Sequence, residues 1–315
     1  MVDPPLLSAL IQSFRDPLEQ TQRFVSRLAL APFRVQVIVH DDSNVREPHR
    51  ERAWRSVLRA GDRYLQSPDI HEVRAFNLMA QLANASRIVF LQGDNCLPTA
   101  VDWLLDAMLL FDRLPRLAVV GGHNGYMGVP QSGRRDGYGP YPARPAIPLL
   151  LGSRTRDVPF IHTAFANIGP YFVRRRTFLE LGGFSTQWGA AGEPGGLFCV
   201  ELGLRAWLRG YHVGVYYGEV GNGVGGYKSR APGKQARLRR AHDRNTTKYL
   251  EAKMAVHNAT VLSRVDAANS QLRRMSKDKA LELQQRKRES RLPCQSARAK
   301  SRTTSENVTE TATHQ

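Results

Sequence analysis

The sequence predicts an α/β fold in which helices cover both faces of a mainly parallel sheet. Two hydrophobic segments rich in Val and Ile end in acids, namely RVQVIVHDDSN (Arg34 to Asn44) and RIVFLQGDN (Arg87 to Asn95). Segments with apolar residues at helical spacing alternate with strand-like segments of this kind. Such alternation is typical of a parallel sheet, and ligands bind these sheets at the carboxyl ends of the strands.

Hydrophobic periodicity assigns the elements of the first half in turn. Runs of Val, Ile and Phe predict strands, and apolar residues three or four positions apart predict helices. For example, Trp54, Val57 and Leu58 share one face of a charged helix. The predicted order is a strand within Leu6–Phe14, a helix in DPLEQTQRFVSRLAL, a strand in RVQVIVH, helices over Pro48–Leu65 and His71–Asn84, a strand in RIVFLQ, a helix over Thr99–Arg113 and a strand in LAVVGG.

The second half continues the alternation after an interruption. Residues His123 to Thr155 are dense in Gly, Pro, Arg and Tyr and predict a long irregular loop. The passage AFANIGPYFVRRRTFLELGGF then predicts a strand and a short helix that is closed by Gly182 and Gly183. A helix over Val200–Arg209 and a last strand in HVGVYYG follow.

The C-terminal part differs in composition and predicts a basic tail. From Lys228 to Gln315 the chain has 21 Lys and Arg against 8 Asp and Glu, so +13 of the total charge of +17 lies there. No strand signal follows Ala236, and the composition from about Arg286 is typical of disorder. We therefore predict a folded domain over residues 1–235 and a helical or disordered tail over 236–315. The apolar residues that could line one face of a tail helix are Val261, Val265, Ala268, Leu272 and Met275.

Other classes of protein are disfavoured by composition. Cys96, Cys199 and Cys294 lie too far apart in sequence for a zinc motif or a disulfide framework. The N-terminal MVDPPLLSALIQSF matches neither a signal peptide nor a membrane anchor, and no other segment has the length of a transmembrane helix. The tail lacks interleaved aromatic residues and any nucleic-acid module, so it predicts nonspecific attraction to polyanions and no specific nucleic-acid partner.

Three passages carry the functional signal: VIVHDDSN, NASRIVFLQGDNCLP and RRRTFLELGGFSTQWGAAGEPGGLFCVELGLRAWLRGYHV. Together they resemble glycosyltransferase family 2, which has the GT-A nucleotide-sugar fold, over about Pro5 to Tyr217. In the first passage the resemblance implies that Asp42 accepts the N–H of a uracil base and that Asp41 supports it. The alternative is a surface turn after a buried strand, because Asp, Ser and Asn all favour turns.

The second passage is similar to the family's strand that ends in a metal-binding acidic motif. The resemblance implies that Asp94 contacts a divalent cation, Mn²⁺ or Mg²⁺, that neutralises the charge of the departing diphosphate. Gly93 stands where another acid is common, and the alternative is a turn acid without a ligand. The nearby HEVRAFN (His71 to Asn77) implies that Arg74 pairs with the diphosphate, against the alternative of a solvated helix face.

The third passage resembles the family's acceptor side, where an acid near a helix start is the general base. That position holds Cys199 here, and a thiol is a poor base for a sugar hydroxyl. The role therefore passes to Glu201, which we favour, or to Glu193 in the preceding loop. The alternative for Glu201 is a first-turn acid that interacts favourably with the helix dipole.

The resemblance implies an inverting hexosyl- or pentosyltransferase that uses a nucleotide-sugar donor, with UDP favoured, and an unknown glycan, lipid or protein acceptor. Because Gly93 and Cys199 replace expected acids, the first alternative is a GT-A-fold binding protein that is impaired in catalysis. A nucleic-acid-binding protein driven by the tail is the second. For localisation, the resemblance suggests the Golgi if the source is eukaryotic, and the missing anchor suggests a soluble protein otherwise.

Overall fold

The computed structural model describes residues 4–14, 18–43, 48–67, 70–93, 95, 97–122, 125–126, 147–149, 158–187, 197–216 and 234–289. In chain order the elements are β1 (Leu7–Ser13), α1 (Leu18–Leu28), β2 (Val35–Asp41), α2 (Pro48–Val57), β3 (Arg63–Gln66), α3 (His71–Leu82), β4 (Arg87–Gln92), α4 (Asp102–Arg113), β5 (Leu117–Gly121), β6 (Gly125–Tyr126), β7 (Ile147–Leu149), β8 (Val158–His162), β9 (Phe165–Ala166), β10 (Tyr171–Arg174), α5 (Arg175–Glu180), α6 (Phe198–Leu208), β11 (His212–Tyr216) and α7 (Lys234–Glu289).

The described strands form one large sheet in the order β3-β2-β1-β4-β10-β5-β11-β8-β7, and β6 and β9 pair separately. The pairs β1 with β2, β1 with β4, β2 with β3 and β5 with β11 are parallel. β10 is antiparallel to both β4 and β5, and β8 is antiparallel to β11 and β7. The prediction of an α/β fold with a mainly parallel sheet is confirmed.

One predicted element was too long. The helix predicted over Pro48–Leu65 ends at Val57, and the four-residue strand β3 follows it. A turn separates the two, because Asp62 accepts hydrogen bonds from the backbone N–H groups of Arg59 and Val37 through its two carboxylate oxygens. β3 is an edge strand with half-buried side chains, so it lacks the hydrophobic alternation that reveals a strand in sequence.

An aromatic cluster joins three elements on one face of the sheet. The Phe90 ring on β4 lies 5.0 Å from Phe76 of α3, 5.1 Å from Phe178 of α5 and 5.0 Å from Phe184, measured between centroids. Rings at these distances contribute about 0.5–1.5 kcal/mol per pair beyond the burial of their area. The cluster therefore fixes α3 and the residues after α5 on the strand that leads to the predicted metal site.

The predicted tail helix is confirmed, and it packs on the domain. Val261, Val265, Ala268 and Leu272 of α7 are buried with side chains of the sheet, whereas Met275 is 43% exposed. Asn269 of α7 bonds the backbone of His162 as a neighbouring strand would: its Oδ1 accepts the N–H and its Nδ2 donates to the C=O. Residues 290–315 lie outside the described ranges.

Within the ranges that the structure describes, no helix combines the length and the apolar character needed to cross a membrane. The predicted division at residue 235 stays a prediction.

Stability should fall on acidification because His162 is buried. Burial, and secondarily the charge of His212, lowers the pKa of His162 to about 3. Since this folded-state value lies below the ordinary 6.5, the unfolded chain binds the extra proton, and His162 contributes stability that is lost as the pH falls below about 6.5. We expect a loss of about 2 kcal/mol from this group between pH 7 and pH 5.

Urea unfolding at the two pH values measures this loss. The variant His162→Asn keeps an N–H that can reach the C=O of Val213, which His162 Nδ1 contacts at 3.4 Å. It should show a smaller difference between pH 7 and pH 5. An unchanged difference would contradict the assignment.

Candidate functional site

The two acid-bearing segments meet at the carboxyl edge of the sheet. The N–H of Asp42, after β2, donates to the C=O of Ser13 at 2.8 Å, and the N–H of Gly93, after β4, donates to the C=O of Gln12 at 2.8 Å. Both segments thus bond to the end of β1, which lies between them. Two strand spacings, about 10 Å, separate Asp42 from Gly93. Asp94 lies outside the described residues.

Asp42 connects this edge to the start of α3. Its side chain is 1% exposed, and its Oδ1 and Oδ2 each accept a 2.7 Å hydrogen bond, from the backbone N–H groups of Ile70 and His71 respectively. His71 has φ +64°, a left-handed conformation that costs a residue other than glycine roughly 1 kcal/mol or more. Asp42 therefore holds a strained backbone in place, and a direct contact with a base requires one of its oxygens to accept a further bond.

Asp41 is buried within a second polar group. Its Oδ1 accepts bonds from the N–H and the hydroxyl of Ser43, and its Oδ2 accepts one from the hydroxyl of Tyr64 at 3.2 Å. Arg50 Nε lies 3.9 Å from Oδ2. Burial and the charge of Asp41 raise the pKa of Tyr64, so its hydroxyl stays a donor. Asp41 thus stabilises the turn that carries Asp42.

The first turn of α3 reaches the end of β4. Glu72, which is half-buried, accepts a 2.7 Å bond through Oε2 from the side-chain amide of Gln92. The backbone N–H of Gln92 donates to Asn95 Oδ1 at 2.8 Å. Arg74 lies two residues after Glu72 and is half-buried as well. Glu72 therefore lies beside Gln92, which stands two residues before Asp94 in sequence. The role of Arg74 at the diphosphate stays a prediction.

The residues before β10 connect this edge to α6. A Cβ at Gly169, where φ is +97°, would lie 3.0 Å from Asn95 Nδ2, so the glycine permits a close approach. The C=O of Pro170 accepts the N–H of Gly122 at 3.0 Å. On the other side, Asn167 Oδ1 lies 3.7 Å from the sulfur of Cys199. Cys199 therefore lies at the same edge as Asn95.

Cys199 is not a base in this environment. The residue is 4% exposed, and burial raises the pKa of its thiol to about 11. A thiol with this pKa is protonated at neutral pH and accepts no proton from a hydroxyl. Among the smaller contributions, the charge of Glu72 also raises this pKa.

Glu201, the favoured base from sequence, is paired. It is 3% exposed, and Arg205 donates to both of its oxygens, from Nε at 2.7 Å and from Nη2 at 2.6 Å. Arg205 also donates to the backbone C=O groups of Leu181 and Gly183. Because a bidentate ion pair of this kind fixes the guanidinium, Glu201 orients Arg205 on the turn after α5. Its role as a base stays a prediction, and this geometry favours a structural role.

Asn77 holds the same turn from the opposite side. Its Oδ1 accepts the N–H of Phe184 at 2.9 Å, and its Nδ2 donates to the C=O of Phe184 at 2.8 Å. A Cβ at Gly183, where φ is +71°, would lie 2.6 Å from Asn77 Oδ1, so no larger residue fits. Asn77, the last residue of HEVRAFN, therefore holds the LGGF turn (Leu181–Phe184) against α3.

Several predicted site residues are brought to one edge and others are not described. The ends of β1, β2 and β4 are bordered by Asp41, Asp42 and the start of α3, which carries Arg74. Glu201 lies in the first turn of α6. Asp94 and Glu193 lie outside the described residues. Among the residues that are described, no group of three or more His, Cys, Asp or Glu side chains could hold a metal ion. These residues alone do not make a metal centre.

Sequence reasoning missed Glu72, Gln92 and Asn167. Glu72 stands two residues before Arg74 in HEVRAFN. Its position as an acid in the first turn of α3 could have identified it. The polar ends of strands lie at this edge by topology, which could have identified Gln92. Asn167 carries no local signal, because its place depends on the pairing of β10 with β4.

Comparisons with known proteins give structural similarity alone. No protein-family description matches the chain, and none of the curated proteins matches it. Similar solved structures include GalNAc-T7 with UDP, GalNAc and Mn²⁺, at 17% identity and TM-score 0.49, over 68% of this chain and 43% of that one. The chain thus spans less than half the length of that protein.

Two further structures are similar. The mannosyltransferase PcManGT from Pyrobaculum calidifontis, in complex with GDP-Man and Mn²⁺, is 16% identical over 87% of this chain and 85% of its own, with TM-score 0.47. Residues 1–349 of S. aureus TarS are 18% identical over 67% and 59%, with TM-score 0.42. The mannosyltransferase is the kind of protein that the sequence resemblance predicts, but TM-scores below 0.5 assign no activity to this chain.

The Glu201–Arg205 pair should contribute to stability. We expect Glu201→Gln to lower the free energy of unfolding by about 2 kcal/mol, because it replaces charge-assisted hydrogen bonds and leaves the buried side of Arg205 without its counter-charge. Urea unfolding at neutral pH measures the change. The matched control is Glu180→Gln, which alters an exposed acid that bonds Arg176 with the same i,i+4 spacing and should change stability much less. Equal effects of the two variants would contradict a structural role for Glu201.

Proposed function

We propose that the chain transfers a sugar from a nucleotide-sugar donor, with UDP-linked donors favoured, to an acceptor hydroxyl with inversion. One observation supports the proposal: hydrogen bonds link the first two passages of the sequence signal along one carboxyl edge of the sheet, and the close approach of Gly169 to Asn95 leads on to the third. They run from Asp42 through the start of α3 and Glu72 to Gln92 and Asn95. The close contact of Asn95 with Gly169, and that of Asn167 with Cys199, extend the path to α6.

This edge has the chemistry that the proposal needs. The first turn of α3, the positive end of a helix, lies at this edge beside the end of β4 and favours a diphosphate. We assign Asp42 and Asp41 to the uridine side, Arg74 to the diphosphate, and Glu201 or Glu193 to the acceptor side. Inversion is a single displacement, in which the hydroxyl attacks one face of the anomeric carbon while the diphosphate leaves from the other.

A divalent cation, Mn²⁺ or Mg²⁺, belongs to the proposal through Asp94. A cation at this position would neutralise charge on the departing diphosphate. No other member of a metal cluster is present among the described residues, so the diphosphate itself and water would complete the coordination.

The second candidate is a binding protein of the same fold without turnover. It is favoured by the protonated, buried thiol of Cys199 and by the pairing of Glu201 with Arg205. Release of free sugar from a panel of UDP- and GDP-sugars with Mn²⁺ distinguishes the two. We expect slow hydrolysis of at least one donor, because an active transferase leaks some sugar to water. Tight UDP binding with no release from any donor would favour the binding protein.

Asp94 should make the affinity for UDP depend on the metal ion. We expect Asp94→Asn to weaken UDP binding at least tenfold in the presence of Mn²⁺, because the amide is a poorer ligand for a hard cation than the carboxylate. In EDTA the variant and the natural protein should bind equally. Isothermal titration calorimetry measures both. The matched control is Asp112→Asn, an acid of α4 that pairs with Arg87 and is 54% exposed. An equal loss in EDTA would contradict a metal role for Asp94.

A further inference from the structure

The helix α7 turns one side to the domain and the other to solvent. The side toward the domain is a stripe of buried apolar residues: Leu250, Met254, Val261, Val265, Ala268 and Leu272. At about 100° per residue, the side chains that point away from this stripe include Lys248, Val256, Arg273, Arg274, Lys277 and Leu281. We call these six residues the outer face, and all of them are exposed.

Cations predominate on the C-terminal part of the outer face. Arg273, Arg274 and Lys277 follow one another within five residues and are all exposed. Two exposed acids border the outer face, Asp278 beside these cations and Asp266 about two turns before them. Over its whole length, α7 has 15 Lys and Arg against 6 Asp and Glu. The surface that α7 presents to solvent is therefore basic.

Two large apolar side chains share the outer face with these cations. Val256 is 74% exposed and Leu281 is 63% exposed. Leu281 stands four residues after Lys277 and seven after Arg274, so the three side chains are neighbours on the helix surface. An aliphatic side chain among cations fits a partner that is anionic at its surface and apolar beneath it, which describes the headgroup layer of a lipid bilayer.

The shape of the outer face also suits a planar partner. From Lys248 to Leu281 the outer face extends over about 50 Å, because a helix rises 1.5 Å per residue. Residues 273–285 include no buried side chain, so this part of α7 stands clear of the packed core. A long helix on the outside of a domain can lie along a membrane surface without any change in its packing on the sheet.

We propose that the outer face of α7 binds the surface of a membrane that contains anionic lipids. This inference goes beyond the proposed function, because it concerns where the protein works and is independent of the reaction. Arg273, Arg274 and Lys277 would contact lipid phosphates, and Leu281 would enter the boundary between headgroups and acyl chains. A nucleic-acid duplex offers the same phosphates but no apolar layer for Leu281, so the lipid surface is the favoured partner.

The test measures sedimentation of the full chain with phospholipid vesicles. We expect the protein to bind phosphatidylcholine vesicles that contain about 30% phosphatidylserine at least about tenfold more tightly than vesicles of phosphatidylcholine alone. The triple variant Arg273→Gln, Arg274→Gln, Lys277→Gln should weaken binding to the anionic vesicles about 100-fold, because each cation near such a surface strengthens binding about fivefold. Binding of the natural protein should also fall steeply when KCl is raised from about 0.1 M to about 0.5 M.

The matched control removes three exposed arginines from other helices. Arg23→Gln, Arg52→Gln, Arg113→Gln changes the net charge equally and should alter vesicle binding by less than about threefold. All substituted side chains are exposed and Gln is a good helix former, so thermal melting should show each variant folded. If the triple variant of α7 does not fold, the salt dependence of the natural protein and the single variant Leu281→Gln carry the test.

Leu281→Gln distinguishes a lipid surface from a general polyanion. It should weaken binding to the anionic vesicles about fivefold or more and leave binding to duplex RNA at the same salt unchanged, because only the bilayer has an apolar layer. Vesicle binding that is insensitive to Leu281→Gln, together with loss of both vesicle and RNA binding in the α7 triple variant, would assign the outer face to nucleic acid and overturn the proposal. Equal losses in the α7 triple variant and the arginine control overturn it as well, as does equal or absent binding to the two kinds of vesicle.

Discussion

The reversed direction of β10 is the constraint on which the candidate site depends. Because β10 runs antiparallel between β4 and β5, its first residues lie at the carboxyl edge of its neighbours. The segment from Asn167 to Pro170 therefore reaches Asn95 on one side and Cys199 on the other. A parallel strand in this place would send the same segment to the opposite edge, away from both Asn95 and Cys199.

The acids of this edge are mostly committed to holding polypeptide in place. Asp42 stabilises a left-handed His71, Asp41 stabilises the turn at Ser43, and Glu201 fixes Arg205 on the LGGF turn. A buried carboxylate needs hydrogen bonds or a counter-charge, so each of these contacts is a condition for burying the acid at all. An acidic motif in a sequence can thus either bind a ligand or hold polypeptide in place, and the partners of the carboxylate decide between these two roles.

Much of the fold could be predicted from sequence, because buried strands and amphipathic helices carry strong periodic signals. RIVFLQ is a strand over its whole length, and the buried positions 261, 265, 268 and 272 of α7 match the predicted face. The half-exposed β3 has no such signal, and the helix prediction extended across it. Site residues were harder. Glu201 and Arg205 stand four residues apart on α6, a spacing at which a helix pairs opposite charges, but the bond of Gln92 to Glu72 and the contact of Asn167 with Cys199 join distant segments. Spacing along the chain does not encode either of them.

The long helix α7 also bears on how this protein should be handled in the laboratory. Its charge and composition invite removal as a dispensable extension, yet Val261 and Val265 are fully buried and Leu272 is 1% exposed. A chain that ends before these residues would expose an apolar groove on the sheet. It would also lack the Asn269 amide that bonds the backbone of His162. Such a truncated product would tend to precipitate, so soluble expression favours retaining the chain at least through Leu272.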